Sequence, residues 1–280
     1  LSVFWRRISS GPLRQGEERV IFGAVLGHTL IVVSDAHLGA TPPSVEEAFL
    51  SFLDAVPDLG DCLLVNGDLF DFWFSYSRVI PRRGFAVAAA LSRLALRMPV
   101  AMVGGNHDRW GGDFWERDAG VRFHPHRLDF SIGRRRVAAI HGDGLTEPQR
   151  RATLLHRIIN HPLTAAVYRS LHPELGLRLV ERLSPHLGDH TQSEASLRDA
   201  AMRQRAWAAR LLEAEPELGL VVMGHTHRAE TTEVSPGHQF LNPGAWFDGY
   251  RYALVTEQRS ELRQFNRAVP LRPPPPAARR

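Results

Sequence analysis

Apolar positions along this chain fall in short blocks instead of long continuous stretches. Residues 30–33, 62–65 and 100–103 are runs of strand length, and each ends in a polar, Gly-rich or Asp-rich turn. Between them, residues 45–55 and 85–96 carry apolar side chains at helical spacing, with Ala and Leu in abundance. The resulting β-α-β-α-β order implies parallel strands joined by helical crossovers. Strand-like stretches follow at Phe123 and at residues 128–132, 137–140, 220–223, 230–234, 239–241, 252–255 and 261–265.

The pattern changes character over residues 147–214, which are rich in Arg, Leu, Ala and His and read as helices interrupted at Pro162, Pro173 and Pro185. The chain therefore divides into an N-terminal extension (1–27), a core in two pieces (28–146 and 215–267), a helical cap insertion (147–214) and a Pro/Arg-rich tail (268–280). The tail holds Pro273 to Pro276 in a row and reads as disordered. With 280 residues and 44% hydrophobic content, a sizeable core is available. No apolar run is long enough to span a bilayer. The opening residues, from Leu1 (not Met) to Arg7, lack the apolar stretch and small-residue site of a secretory signal.

A single cysteine, Cys62, excludes an internal disulfide and points to a reducing, cytoplasmic compartment; its place in an apolar run reads as core. All 34 basic residues are arginine, and the net charge is +4. A pI near 9.9 favours phosphates, nucleic acid or an acidic membrane surface without choosing among them.

Directly after the apolar runs stand Asp35 and His37, then Asp68, then Asn106 and His107, then His141, and last His225 and His227. Carboxylate and amide oxygens suit hard divalent ions, while imidazole suits Mn, Fe and Zn. No thiolate accompanies them, and a structural zinc site would bring cysteines, so a catalytic metal centre is the reading. Asp71 and Asp143 are candidate acceptors for ligand imidazoles. Trp73, Trp110, Trp115 and Trp246 lie close to these segments, and core packing is their first reading.

In order and in context, the five segments resemble the calcineurin-like metallophosphoesterases across residues 28–265. The resemblance implies an α/β fold, a four-layer αββα sandwich, with the helical insertion as a cap over the site. It implies two divalent ions, Mn²⁺ first, with Fe, Zn or Mg as alternatives. Asp35, His37 and His227 would hold one ion, Asn106, His141 and His225 the other, and Asp68 would bridge them. His107 would face the phosphoryl group as a catalytic donor.

Within that family, Asn66 to Trp73, His141 to Thr146, Gly224 to Arg228 and Gly244 to Trp246 look like the UDP-2,3-diacylglucosamine hydrolases of lipid A synthesis. That branch reads Gly-Asn-Arg-Asp in its third motif, where this chain has His107, and its polar residues after the fourth motif are replaced here by residues 147–150. The implied substrate is an amphipathic, phosphate-containing small molecule, cleaved by a protein peripheral to the inner face of the membrane. Asn106 and Arg198 are candidate substrate contacts, with Leu154, Leu155, Ile158 and Ile159 sharing one helix face of the cap. Another phosphodiesterase or phosphatase would share every ligand. A nuclease or a non-catalytic binding module is less favoured: there is no aromatic-and-basic stacking stripe beyond the cap, and no ligand is missing. Nucleic acid is not an expected partner, and the sequence leaves the oligomeric state open.

Overall fold

Alternation within the central strands decides the architecture. The structure, a computed structural model, describes residues 25–76, 78–145, 162–187 and 194–266. In β2 (Thr29–Val33), Leu30 and Val32 point into one apolar layer while Ile31 and Val33 point into another. β3 (Cys62–Asn66) and β4 (Val100–Val103) repeat the division: Cys62, Leu64, Ala101 and Val103 on one side, Leu63, Val65, Val100 and Met102 on the other. Strands buried on both faces read as unbroken apolar runs, which is how they stand out in the sequence.

The outer layer of this sheet is covered by α1 (Pro43–Leu59) and α2 (Phe85–Ala95), whose buried faces carry Phe49, Phe52, Val56, Leu91 and Leu94. The sheet runs β12-β11-β2-β3-β4-β5, with β5 (Arg122–His124), β11 (Arg251–Thr256) and β12 (Ser260–Gln264). β2 to β5 are parallel and β11 and β12 antiparallel. The second sheet runs β1-β6-β7-β8-β10-β9, from β1 (Val25–Gly27), β6 (Arg127–Ile132), β7 (Arg135–Ile140), β8 (Leu218–Val222), β9 (Glu230–Ser235) and β10 (His238–Asn242). Leu128, Phe130, Val137, Ala139, Leu220 and Val222 meet the first sheet in the layer between them. Cys62 lies in that layer as a buried free thiol, and burial pushes its ionisation up, so it is inert.

After a single-turn α3 (Phe114–Arg117), the described part of the insertion comprises α4 (Pro162–Ser170), α5 (Pro173–Leu187) and α6 (Glu194–Ala214). Pro162 and Pro173 open helices, as N-terminal prolines do. Pro185, expected to interrupt one, lies inside the last turn of α5, where little helix remains for the missing N–H to disrupt. Pro57 is accommodated in the same way near the end of α1. The outer face of the second sheet is covered by α6: Ala208 and Leu212 pack with Ala138, Leu218, Val221, Met223 and Phe240, and Trp207 lies against them. Two sheets flanked by helices thus give an α/β, αββα sandwich. Leu154, Leu155, Ile158, Ile159, Thr146 to Arg150 and the tail from residue 268 lie outside the described residues, as does nearly all of 1–27.

Trp73, Trp115 and Trp246 are fully buried. Trp246 packs on Phe49 and Phe52 at 5.3 and 4.8 Å between ring centroids, and Phe70 stacks on Trp73 at 4.7 Å. These rings anchor the loops that carry the polar motifs; truncating one costs about 3–5 kcal/mol. Trp110 is half-buried.

Candidate metal centre

Every motif residue sits just past the carboxyl end of a strand: Asp35 and His37 after β2, Asp68 after β3, Asn106 and His107 after β4, His141 after β7, His225 and His227 after β8. The first three strands belong to one sheet and the last two to the other, so the site lies where the ends of both sheets meet. Its backbone is unusual. Among the described residues, the non-glycine positions with positive φ are Asp35 (52°), His37 (45°), Asp68 (50°), His225 (66°), His227 (59°) and Tyr250 (56°). The left-handed region costs a side-chain-bearing residue roughly 1–2 kcal/mol, and such strain gathers where function requires a fixed geometry.

Hydrogen bonds hold those conformations. The loop after β2 donates from Asp35 N to Gly67 O (3.1 Å), Ala36 N and His37 N to Asp68 O (2.9 and 3.0 Å) and Leu38 N to Leu69 O (3.0 Å). His107 N donates to Asp68 Oδ1 at 3.0 Å. A Cβ at Gly105 would collide with the Asp68 carboxylate and backbone N, so only glycine lets this loop close on Asp68. The Asp35 carboxylate receives His225 N at 3.0 Å and the Ser34 hydroxyl.

The side chains converge. Ligand atoms of Asp35, His37 and His227 lie within 4.8 Å of one another, as do those of Asp68, His141 and His225, and those of His37, Asp68 and His107. His37 Nε2 and His227 Nε2 face each other at 3.3 Å. His227 Nε2 is 3.5 Å from Asp35 Oδ1, and His37 Nε2 is 3.8 Å from Asp68 Oδ2. His141 Nε2 lies 3.1 Å from Asp68 Oδ2. It and Asn106 Oδ1 are buried polar atoms without a hydrogen-bond partner. Leaving such atoms unmade costs about 1–3 kcal/mol each, whereas divalent cations would satisfy them together. The donor set, oxygen and imidazole with no sulfur, fits that role.

Electrostatics agree. Burial disfavours charge on His141, but Asp68, Asp35 and Asp143 overcome it and push its pKa up to about 10. Burial likewise opposes ionisation of Asp68, yet His141, His107 and His37 hold it well below the ordinary carboxylate range. Asp35 is lowered against its burial by His227 and His141. Burial dominates at His37, bringing it down to about 4, and it lowers His225 too. His107 and His227 are raised despite burial, His107 by Asp68 and by its bond to Asp71, His227 by Asp35. The pocket therefore favours positive charge: its carboxylates hold His107, His141 and His227 toward the protonated form, while burial keeps His37 and His225 neutral.

Histidine orientation departs from expectation in one respect. The His141 Nδ1–H points at the Asn66 carbonyl (3.0 Å), not at Asp143, because Asp143 is taken by a buried ion pair with Arg109. The His107 Nδ1–H donates to Asp71, through the backbone carbonyl at 2.6 Å, with the carboxylate at 3.9 Å. A carbonyl only accepts, so both rings carry a proton on Nδ1 and turn Nε2 to the site.

Several supporting groups had escaped the sequence reading. The buried Asp108 carboxylate accepts from Gly105 N (2.8 Å), Leu69 N (2.7 Å) and Asp68 N (3.3 Å), tying the loops after β3 and β4 together, and burial raises its pKa to about 6. Gln204 of α6, fully buried, donates to Gly224 O (2.8 Å) and accepts from Thr226 Oγ1 (3.2 Å) and Asn242 Nδ2 (3.1 Å). Asn242 also reaches Gly224 O at 3.0 Å and closes its own turn with Gly244 N at 2.9 Å. Position inside the third motif was the one available signal for Asp108; Gln204 offered none. Arg198 lies exposed on α6. Phe247 borders the centre, 5.2 Å from the His227 ring and 5.8 Å from that of His37.

The chain belongs to the calcineurin-like phosphoesterase family, whose sequence profile matches residues 28–229. It is similar to the UDP-2,3-diacylglucosamine hydrolase of Porphyromonas gingivalis, with 25% identity over 244 residues, 79% of this chain and 91% of that one. The protein of the same name from Serratia proteamaculans is 24% identical over 239 residues, 84% and 98% of the two chains. Among solved structures, the phosphoesterase YfcE of E. coli aligns over 81% of this chain and 87% of its own, with a TM-score of 0.36 and 15% identity. Among the described residues no helix is long and apolar enough to cross a membrane.

Proposed function

We propose that this protein is a two-metal hydrolase that cleaves the diphosphate of UDP-2,3-diacylglucosamine to give 2,3-diacylglucosamine 1-phosphate and UMP. The convergence of the donor groups around Asp68 supports the metal chemistry. The substrate rests on relatives of that name, matched over nearly their whole length. In this reading Asp35, His37 and His227 hold one ion, Asn106, His141 and His225 the other, and Asp68 serves both. Manganese is the proposed metal. Bound there, a pair of divalent ions supplies charge neutralisation for phosphoryl oxygens and a lowered pKa for water.

The chain's own groups do the rest. Asp68 holds the loop after β4 in register through His107 N, so ligands from two strands move as one unit. His107, its Nδ1–H fixed by Asp71 and its raised pKa favouring a second proton on Nε2, is placed to donate from Nε2 to a nonbridging or leaving oxygen, and Asn106 borders the same oxygens. The insertion at 147–214 acts as the cap that receives the acylated sugar, with Arg198 on its diphosphate side. The lone buried Cys62 and the lipid substrate fit a cytoplasmic protein peripheral to the inner face of the membrane.

One observation favours a second reading, a phosphodiesterase or phosphatase of another small molecule or nucleotide: His107 stands where the lipid-cleaving branch carries Arg. A panel assay after chelation and Mn²⁺ addition separates the two. It would compare UDP-2,3-diacylglucosamine, a generic phosphodiester, a cyclic nucleotide and single-stranded DNA. We expect metal-restored turnover with UDP-2,3-diacylglucosamine far above the others. Full activity without metal would overturn the mechanism; preference for a cyclic nucleotide or diester would overturn the substrate.

A further inference from the structure

Six of the eleven large apolar side chains that the described residues leave exposed fall in two short segments. Val79 and Ile80, in the loop leading into α2, and Phe85, its first residue, are 48%, 47% and 56% exposed; Val167 on α4, Leu171 in the turn after it and Leu175 at the start of α5 are 59%, 37% and 59% exposed. The segments adjoin. Phe74 and Tyr76 contact Tyr168 at 4.5 and 6.3 Å between ring centroids, and Gly176 is so close to both tyrosine hydroxyls that a Cβ there would crowd them.

Charge on this face is one-sided. Residues 76–86 contain Arg78, Arg82 and Arg83 and no acidic residue, and residues 167–178 add Arg169 and Arg178 against Glu174 alone. Arg169 lies 5.6 Å over the Phe74 ring, at the junction of the two segments. The facing acids are Glu46 and Glu47 of α1, on the opposite wall of a groove of about 890 Å³ that Ile80, Arg82 and Phe85 also line. Gly39 and Thr41, two and four residues after His37, line the same groove.

We propose that this face docks the protein on an anionic lipid bilayer, with the aliphatic and Phe85 side chains in the headgroup boundary and the arginines among the headgroups. Here arginines alternate with the apolar side chains, the pattern of a surface that meets acyl chains and phosphates together. The inference does not depend on which phosphoester is cleaved, because docking needs neither metal nor substrate.

The test is flotation of the full-length protein with phosphatidylcholine vesicles, with and without phosphatidylglycerol, at low and raised salt. We expect binding only to the anionic vesicles, weakened by salt. The pair Val79→Asp and Ile80→Asp, and separately Leu175→Asp, should each lower partitioning about tenfold or more. Arg78→Gln with Arg82→Gln should do the same. Hydrolysis of a soluble diester should stay unchanged in the Val79, Ile80, Arg78 and Arg82 variants. Equal binding to neutral vesicles, or binding untouched by the substitutions, would overturn the proposal. So would self-association in the absence of lipid that the same substitutions abolish. A wild-type protein that floats but cleaves no phosphoester would count against the proposed function and leave the docking face standing.

Discussion

The loops that follow β2, β3 and β8 hold left-handed residues in place and bury carboxylates among imidazoles. Helices α4 and α5, in contrast, keep ordinary helical geometry and leave arginines and aliphatic side chains in water. At the strand ends each group answers to several others at once: Asp68 meets His107 N, His37 and His141, and its own loop is held by Asp108. On the helices a side chain can change with little effect on its neighbours. The proposed chemistry falls where the fold over-determines geometry, and the proposed recognition where it does not. Helix α6 belongs to both regimes, with Arg198 exposed near one end and Gln204 buried against the loop of His225 and His227 further along.

Asp68→Ala should break the over-determined side most severely. Removing a carboxylate shared by both halves of the centre should lower kcat/KM roughly a thousandfold or more and reduce bound metal, read by elemental analysis of the purified protein. Retention of full metal content would mean that the two halves do not share it.

His107→Ala should come next, with kcat down about a hundred- to a thousandfold, KM little changed and metal content intact. Loss of an ion would place His107 among the ligands, as its proximity to His37 and Asp68 would allow.

Within α6 the contrast can be tested on one helix. Gln204→Ala leaves Gly224 O, Thr226 and Asn242 short of a partner, which should cost about 1–3 kcal/mol and lower the Tm. Arg198→Ala should change stability by less than about 0.5 kcal/mol and act only on substrate affinity. Equal Tm values for the two variants would erase the division of α6.

The smallest effect is expected away from both regions. Asp61 accepts from His28 N and Thr29 N at 3.0 and 2.9 Å, and despite partial burial these bonds lower its pKa from 3.8. A lowered carboxylate stabilises the fold above its unfolded pKa, and that contribution disappears as pH falls through the folded value. Solvent screening keeps it below about 1 kcal/mol. Asp61→Asn should therefore lower the urea midpoint slightly at pH 7 and leave it unchanged near pH 2; a difference that persists in acid would mean the group acts through packing.

Much of this was readable in the chain itself because the central strands are buried on both faces and each stops where a motif begins. Asp35, Asp68 and His141 could be found for that reason. What escaped had no local signature. β1 is three residues long, with its pairing to β6 supplied from far along the chain. Gln204 sits in a polar helical stretch and gains meaning only from Gly224, Thr226 and Asn242. The Asp143 carboxylate looked free for His141 until Arg109 was seen to claim it. The cap face carrying Leu154 and Ile158 lies outside the described residues, so its pattern stays a sequence reading.

The positive φ angles at His37 and His227 carry an evolutionary implication. Glycine occupies that conformation without steric penalty, so His37→Gly in metal-free protein removes at once a strained residue and an imidazole that burial keeps neutral and that crowds against His227. The substitution should make the apoprotein harder to unfold while it destroys the centre. A lineage released from selection for hydrolysis would gain stability by losing such a strained, neutral histidine, and the sandwich could outlast its chemistry as a binding scaffold.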